Sequence, residues 1–228
     1  ETLEATLAQV TQEPVTVYAA GRTDAGVHAL GQVIAFDTSW RHGVGDLQRA
    51  MNAVLPLDIA VRELEVAASD FHPRYDARSR RYRYRIHTAT VRSPIARRYS
   101  LHVPYPLDAA VMQRAARALV GEHDFATFGQ APQGEVTVRQ VFSAELCEEP
   151  FDCVGFDGTQ SRGKFMTLDI EGNAFLYRMV RSIVGTLLDV GQGKMCASAF
   201  EEALAACDRS RAGKTAAPNG LCLVQVNY

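Results

Sequence analysis

No apolar run in this chain of 228 residues approaches the roughly 20 residues that a membrane-spanning helix requires. A helical membrane protein is therefore excluded. The five cysteines, Cys147, Cys153, Cys196, Cys207 and Cys222, are odd in number and fit no zinc-ligand spacing. They are expected to be small buried apolar residues in a reducing cytoplasm. Signatures of several enzyme classes are missing too. Gly213-Lys214-Thr215 ends like a phosphate-binding loop, but Asp208 stands where its first glycine belongs. Gly191-Gln192-Gly193 carries Cys196 in place of a third glycine and follows a helix instead of a strand. There is no Gly-x-Ser-x-Gly elbow and no His-Glu-x-x-His pair. Fixed-period repeats and low-complexity tracts are absent. No secretory signal is visible, yet the first residue is Glu1, and Leu3, Leu7 and Val10 already mark one face of a helix. The expectation is that sequence upstream of Glu1 is missing.

What remains is an ordinary globular composition, 47% apolar and 22% charged, long enough for one large domain or two small ones. Its charge is unevenly spread. Between Arg74 and Arg98 there are nine arginines and one acid, Asp76, a local formal charge of +8. The whole chain carries −2, so the remainder carries −10. A basic patch on an acidic body is the electrostatic footprint of phosphate recognition, and the arginine fork suits phosphate better than lysine does.

Strand and helix patterns alternate along the chain. Val15–Tyr18 and Gln32–Phe36 look like short strands, and Asp46 is placed to cap a helix bearing Leu47, Met51 and Val54. Ile59–Val66 reads as a strand. Ser79–Ile86 alternates strictly, with Arg81, Arg83 and Arg85 on one face and Tyr82, Tyr84 and Ile86 on the other. Prolines at 94, 104 and 106 mark residues 93–106 as a linker. Asp108 is expected to cap a helix with Met112, Ala115 and Leu119 on one side, closed by Gly121. Strands at Val138–Leu146 and Phe165–Ile170 flank an expected loop, Pro150–Gly163. A long helix is expected from Ala174 to Val190, ended by Gly191, and Ser198–Glu201 has the spacing of a capping box. Leu221–Tyr228 closes the chain as a strand. The class implied is α+β with a mostly antiparallel sheet.

The chemistry points to Gly21-Arg22-Thr23-Asp24-Ala25-Gly26-Val27-His28-Ala29, a glycine-bracketed aspartate between two strand-like stretches. A polar turn would account for glycine and aspartate alone. Arg22 and His28 in the same nine residues favour a loop that holds Asp24 at the rim of a sheet, facing a ligand. Asp24 and His28 could share a metal only on a helical loop, which the glycines oppose, so no metal site is expected. The second element is Phe175–Gly185, apolar nearly all round except for Arg178 and Arg181. A buried, unpaired charge costs about 3–5 kcal/mol, so at least one arginine needs a carboxylate, either Asp24 or a purely structural partner. An oriented aspartate is a general base or a nucleophile. An aromatic on the clean face of the basic strand would add a platform for a nucleobase, and structured RNA would have to flip that base out. Tyr82 and Tyr84 both stand on that face, and a tyrosine in a strand is usually just core.

Together these segments resemble the tRNA pseudouridine synthase A family. The nine-residue loop is similar to its signature loop. Phe71-His72-Pro73-Arg74 followed by Ser79-Arg80-Arg81-Tyr82-Arg83-Tyr84 is similar to its tyrosine motif. Gly121–Phe125 resembles the start of its second half, and Asn173–Arg181 its arginine helix. The resemblance implies a cofactor-free, metal-free isomerase that converts uridine to pseudouridine in the anticodon stem-loop of tRNA (family positions 38–40). It implies Asp24 as nucleophile, at base or sugar, Tyr82 stacked on the uracil with Tyr84 left to the core, and Arg181 paired with Asp24. Arg22 would enter the space left by the flipped nucleotide. RNA contacts are expected of Arg22, His28, Arg74, Arg78, Arg80, Arg81, Arg83 and Arg178. The fold implied has two α+β halves, residues 1–98 and 99–228, forming one continuous sheet with a basic cleft between them. Such proteins work in the cytoplasm as homodimers, away from membranes. Family members open with a strand bearing Tyr-Asp-Gly and a nearby Gly-Trp-Gln. Here the lone tryptophan is Trp40, so that first strand is expected to be missing, leaving an exposed sheet edge. Two other functions fit the same residues: a non-catalytic tRNA-binding module, and a hydrolase or phosphodiesterase using Asp24 with His28.

Overall fold

The computed structural model of the chain describes residues 1–131, 136–154 and 160–228. In chain order, α1 (Thr2–Thr11), β1 (Tyr18–Ala19), β2 (His28–Ala29), β3 (Ile34–Ala35) and α2 (Val44–Val54) come first. Then follow β4 (Ser79–Thr88), β5 (Leu101–Val103), α3 (Ala109–Arg117), β6 (Gly121–Asp124), β7 (Val138–Val154) and β8 (Gln160–Gly172). The chain finishes with α4 (Met179–Gly191), α5 (Ala197–Ala205) and β9 (Leu221–Asn227). These elements gather into two compact units. One holds Glu1–Arg22 and Gln32–Ala77; the other holds Thr23–Gly31 and Arg78–Tyr228. The units divide the chain elsewhere than at residue 98, because β4 pairs with β8 and β9 of the second unit. No helix among the described residues is long and apolar enough to cross a membrane.

The first unit is built on Leu7 of α1 and on Leu47 and Met51 of α2, with Val15 and Leu55. β1 and β3 form a two-rung antiparallel ladder, shorter than the strands expected on either side of the loop. Helix α2 starts from Gly43 without a side-chain cap, so Asp46 is not the cap. It lies in the first turn, where its carboxylate suits the helix dipole and pairs with Arg49. The strand expected at Ile59–Val66 does not form. Asn52 of α2 accepts from the Val61 N–H (2.7 Å) and donates to its carbonyl (2.8 Å), satisfying backbone that would otherwise seek a partner strand.

In the second unit the strands run β2-β9-β4-β8-β7-β6, and β5 pairs beside the far end of β4. Among the described residues only the β2·β9 and β4·β5 pairs are parallel, so the expected α+β class with a mostly antiparallel sheet is what forms. The faces of β4 separate as its alternation demands. Tyr84 and Ile86 are fully buried with Met166, Leu168 and Ile170 of β8 against α3, α4 and α5. Burying such side chains contributes about 1.5–3 kcal/mol each. Asp108 caps α3 as expected, accepting from the Val111 N–H at 3.0 Å.

Four boundaries differ from expectation. Residues 93–106 are not a linker: a 3-10 turn at Ala96–Arg98 leads into β5, which is part of the sheet. The expected loop Pro150–Gly163 is mostly strand, since β7 and β8 stay in register to Val154 and Gln160; residues 155–159 lie outside the described residues. β6 pairs with β7 only at Val138–Val141, so Pro150 sits where β7 is an edge among the described residues and no N–H is missed. Helix α4 starts at Met179, not Ala174. The Tyr177 N–H goes to the Gln130 carbonyl (3.0 Å), the Ala174 N–H to Asn173 Oδ1 (2.6 Å), and Arg178 takes a left-handed φ of 60°. Finally, α5 starts after Cys196 with no side-chain cap, so the capping box does not close. The cysteine expectation also fails: Cys147, Cys196 and Cys207 are exposed and Cys222 half-buried, while the Cys153 side chain lies outside the described residues.

His87 on β4 is 2% exposed among Phe151, Phe165 and His102, and its Nε2 has no partner among the described residues. Burial first, and His102 second, push its pKa below 6.5. The folded chain thus binds fewer protons than the unfolded chain as pH falls below about 6.5, so stability present above that pH is lost on acidification. Melting midpoints should fall below pH 6.5, with this group contributing up to about 1.4 kcal/mol per pH unit. His87→Phe should flatten that acid limb. An equally steep limb in the variant would assign the titration elsewhere.

Candidate active site

Asp24 opens a tight turn in which its carbonyl accepts from the Val27 N–H at 3.0 Å. Gly26, at φ +82°, supplies the positive-φ residue that a type II turn needs at its third position. A side chain there would also crowd Pro218, since a Cβ would lie 3.1 Å from its Cγ. Past the turn, β2 runs beside β9, and the Leu30 and Gly31 N–H groups both reach the Leu223 carbonyl (2.8 and 3.3 Å). At Gly31 a Cβ would stand 2.3 Å from the Val224 carbonyl oxygen, so only glycine allows this approach.

The carboxylate meets Arg181 of α4, 157 residues along the chain, through an ion pair from Nη1 to Asp24 Oδ2. Both side chains are largely shielded, 13% and 22% exposed. Arg181 is fixed at a second point: its Nε–H donates to the Ala216 carbonyl at 2.8 Å, and the Ala216 N–H returns to the Arg181 carbonyl at 3.0 Å. The segment carrying Ala216 lies hard against α4, where a Cβ on Gly185 would be 1.8 Å from the Lys214 carbonyl oxygen. There the Gly213 N–H is spent on Thr186 Oγ1 (2.9 Å), not on a phosphate cradle.

Tyr82 projects from β4 on the same side of the sheet as Tyr84 and packs edge-on against Phe175, centroids 5.1 Å apart. Burial raises its phenol pKa above 10; Arg80 opposes the rise and the Asp24 carboxylate adds to it. The phenol is therefore a neutral hydrogen-bonding group near Asp24 at physiological pH. Tyr84 is core, as expected, but not idle. Its hydroxyl donates to the Ala217 carbonyl at 2.7 Å, bracing the peptide next to the one that anchors Arg181. Ala216 and Ala217 went unnoticed in the sequence, because a backbone carbonyl leaves no side-chain signal.

The other expected residues are placed as follows. Arg80 is 9% exposed and donates to the Asn173 carbonyl at 2.9 Å. Arg83 forks onto Asp169 (3.0 and 2.9 Å), which Arg81 also approaches at 3.6 Å, so one carboxylate offsets part of the basic face. Arg85 lies over the Phe165 ring at 4.4 Å, and Arg178 over Tyr177 at 4.7 Å. Arg22 and Arg78 are exposed. Arg74 lies over Tyr75 in the first unit. The half-buried His28 ring is engaged within the fold: its Nε2 is 2.6 Å from the Arg98 carbonyl oxygen and its ring meets Tyr99. No group of three or more His, Cys, Asp or Glu among the described residues is placed to hold a metal ion.

Comparison with known proteins adds an independent line. A family model described as tRNA pseudouridine synthase matches residues 1–76 and 115–228. The tRNA pseudouridine synthase A of Geotalea uraniireducens is 44% identical over 227 residues, covering 99% of this chain and 88% of the relative. That of Brevibacillus brevis is 43% identical with the same coverage. The Klebsiella pneumoniae (strain 342) protein of that name is 42% identical over 230 residues, 100% of this chain and 80% of the relative.

Proposed function

The chain belongs to the tRNA pseudouridine synthase family, and we propose that within it Asp24 is the nucleophile, Arg181 aims Asp24, and Tyr82 stacks on the target uracil. The protein is an isomerase that converts uridine to pseudouridine in tRNA. That reaction breaks the bond from N1 to C1′ and makes one from C5 to C1′. A proton leaves C5 and N1 gains one, so nothing is oxidised, reduced or consumed overall.

The observation that carries the reading is the shielded Asp24–Arg181 pair. A carboxylate oxygen held in one direction is suited to attack C1′ of the ribose or C6 of the ring. Either attack lets the glycosidic electron pair pass to N1 and frees the base to turn. The ring must stay in place while it turns, and the neutral Tyr82 beside Asp24 offers it a flat partner. When C5 has joined C1′, the Asp24 oxygen leaves, and the carboxylate is restored. Reaching the base inside a folded tRNA requires flipping, at a cost of a few kcal/mol. Arg22 is suited to fill the vacated space, and Arg74, Arg78 and Arg178 to contact phosphate. Arg81 and Arg83 contribute what Asp169 leaves uncompensated, and Arg80 supports the turn before α4. The resemblance supports the anticodon arm as target and a cytoplasmic homodimer as the working form.

Hydrolysis by Asp24 with His28 is disfavoured, because the His28 ring is engaged by Arg98 and Tyr99. The test is tritium release from tRNA labelled at uridine C5. The chain should release it without added nucleotide, undiminished by EDTA, and leave the tRNA intact. Strand scission or loss of activity with EDTA would favour the hydrolase instead.

A further inference from the structure

The turn Ala96–Arg98 is tied down by hydrogen bonds from its own flanks and from two other segments. Ser93 accepts from the Ala96 and Arg97 N–H groups, and Ser100 Oγ donates to the Ala96 carbonyl at 2.9 Å. Two side chains from elsewhere then take its remaining carbonyls. Asn219 Nδ2 donates to Arg97 and to Ser100, 2.8 Å each. His28 Nε2, necessarily the protonated ring nitrogen here, donates to Arg98 at 2.6 Å, with its ring 4.8 Å from that of Tyr99. With the backbone held from one side, the side chains point out: Arg97 and Arg98 are exposed, and Tyr99 is 58% exposed. Among the described residues neither arginine pairs with a carboxylate, unlike Arg81 and Arg83, which share Asp169.

Both clamps grow from the segments that frame Asp24. His28 follows it by four residues on the same loop. Asn219 follows Pro218, the residue packed beneath Gly26 of the Asp24 turn. Two uncompensated guanidiniums are thus fixed to the catalytic loop itself, in an enzyme whose substrate is a polyanion. We infer that the Ala96–Tyr99 turn is a binding site for the phosphate backbone of the tRNA, and that His28 and Asn219 are positioning residues for it. This rests on the tRNA reading above. It moves His28 from touching RNA to holding the residues that do.

The experiment measures tRNA affinity of the full chain against salt, together with KM and kcat for tritium release. Arg97→Ala/Arg98→Ala should reduce the log–log salt slope by about 1.5–2, as expected for two lost phosphate contacts. KM should rise about tenfold or more near physiological salt, with kcat within about twofold. His28→Phe, which keeps the ring but loses the donor, should lower the slope in the same direction, and His28→Gln should restore it. Both arginines are exposed, so folding is not at stake, and melting midpoints verify this. An unchanged slope in the double variant overturns the inference, as does a loss confined to kcat. Failure of the unsubstituted chain to release tritium would strike the reaction instead, in a readout separate from the slope.

Discussion

Asp24→Asn is expected to lower kcat by about 10⁴-fold or more while tRNA affinity stays within about threefold, because an amide matches the carboxylate in shape but is not a nucleophile. Its oxygen can still accept from Arg181 Nη1, and Arg181 keeps its 2.8 Å bond to the Ala216 carbonyl. The turn should survive as well, since it is closed by the Asp24 backbone and by Gly26. Exchanging a charged hydrogen bond for a neutral one at a shielded site should cost about 1–3 kcal/mol of stability, visible as a lowered melting midpoint. Pseudouridine analysis of digested tRNA, beside a binding isotherm, measures both halves of the prediction. Substantial turnover by the variant would take the nucleophile away from Asp24.

Arg181→Lys is expected to reduce kcat by about 10²–10³-fold with KM for tRNA little changed. Lysine keeps the positive charge but not the fork, and it cannot hold Asp24 and the Ala216 carbonyl at once. The carboxylate would then wander, and a displacement of about 1 Å at a reacting group can cost about 10²-fold. Arg181→Ala should do worse on stability too, by about 3–5 kcal/mol, because it leaves a shielded carboxylate unpaired. Comparing the two substitutions separates aim from charge. If the lysine variant matched the unsubstituted kcat, the pair would be an ordinary structural ion pair.

Much of this site could be read from residues alone, for a physical reason. A charge inside an apolar helix needs a counter-charge wherever the chain supplies one, so Arg178 or Arg181 implied a carboxylate, with Asp24 one of two options, and the family resemblance singled out Arg181. The alternation of β4 likewise announced a strand with two unlike faces, and Asp108 a helix start. What escaped notice depended on backbone partners with no side-chain signature. Phe175–Tyr177 continue the apolar pattern of α4, yet the Gln130 carbonyl takes the Tyr177 N–H that a helix would use, and Arg178 turns left-handed. Ile59–Val66 has strand composition, but Asn52 satisfies Val61 in place of a neighbouring strand. Three-residue β5 is too short to show a period between its flanking prolines. The basic cluster was visible as charge, but its partial offset by Asp169, 86 positions from Arg83, appears only in the folded sheet.

In the proposed reaction the Asp24 carboxylate, aimed by Arg181, attacks the uridine. Single-turnover tritium release tests it most directly, with enzyme in excess so that all C5-labelled tRNA is bound and only chemistry limits the rate. Asp24→Asn is expected to bind the tRNA fully and to release no tritium above background. Release at more than about one hundredth of the unsubstituted rate, or about 3 kcal/mol or less of lost transition-state stabilisation, would contradict it.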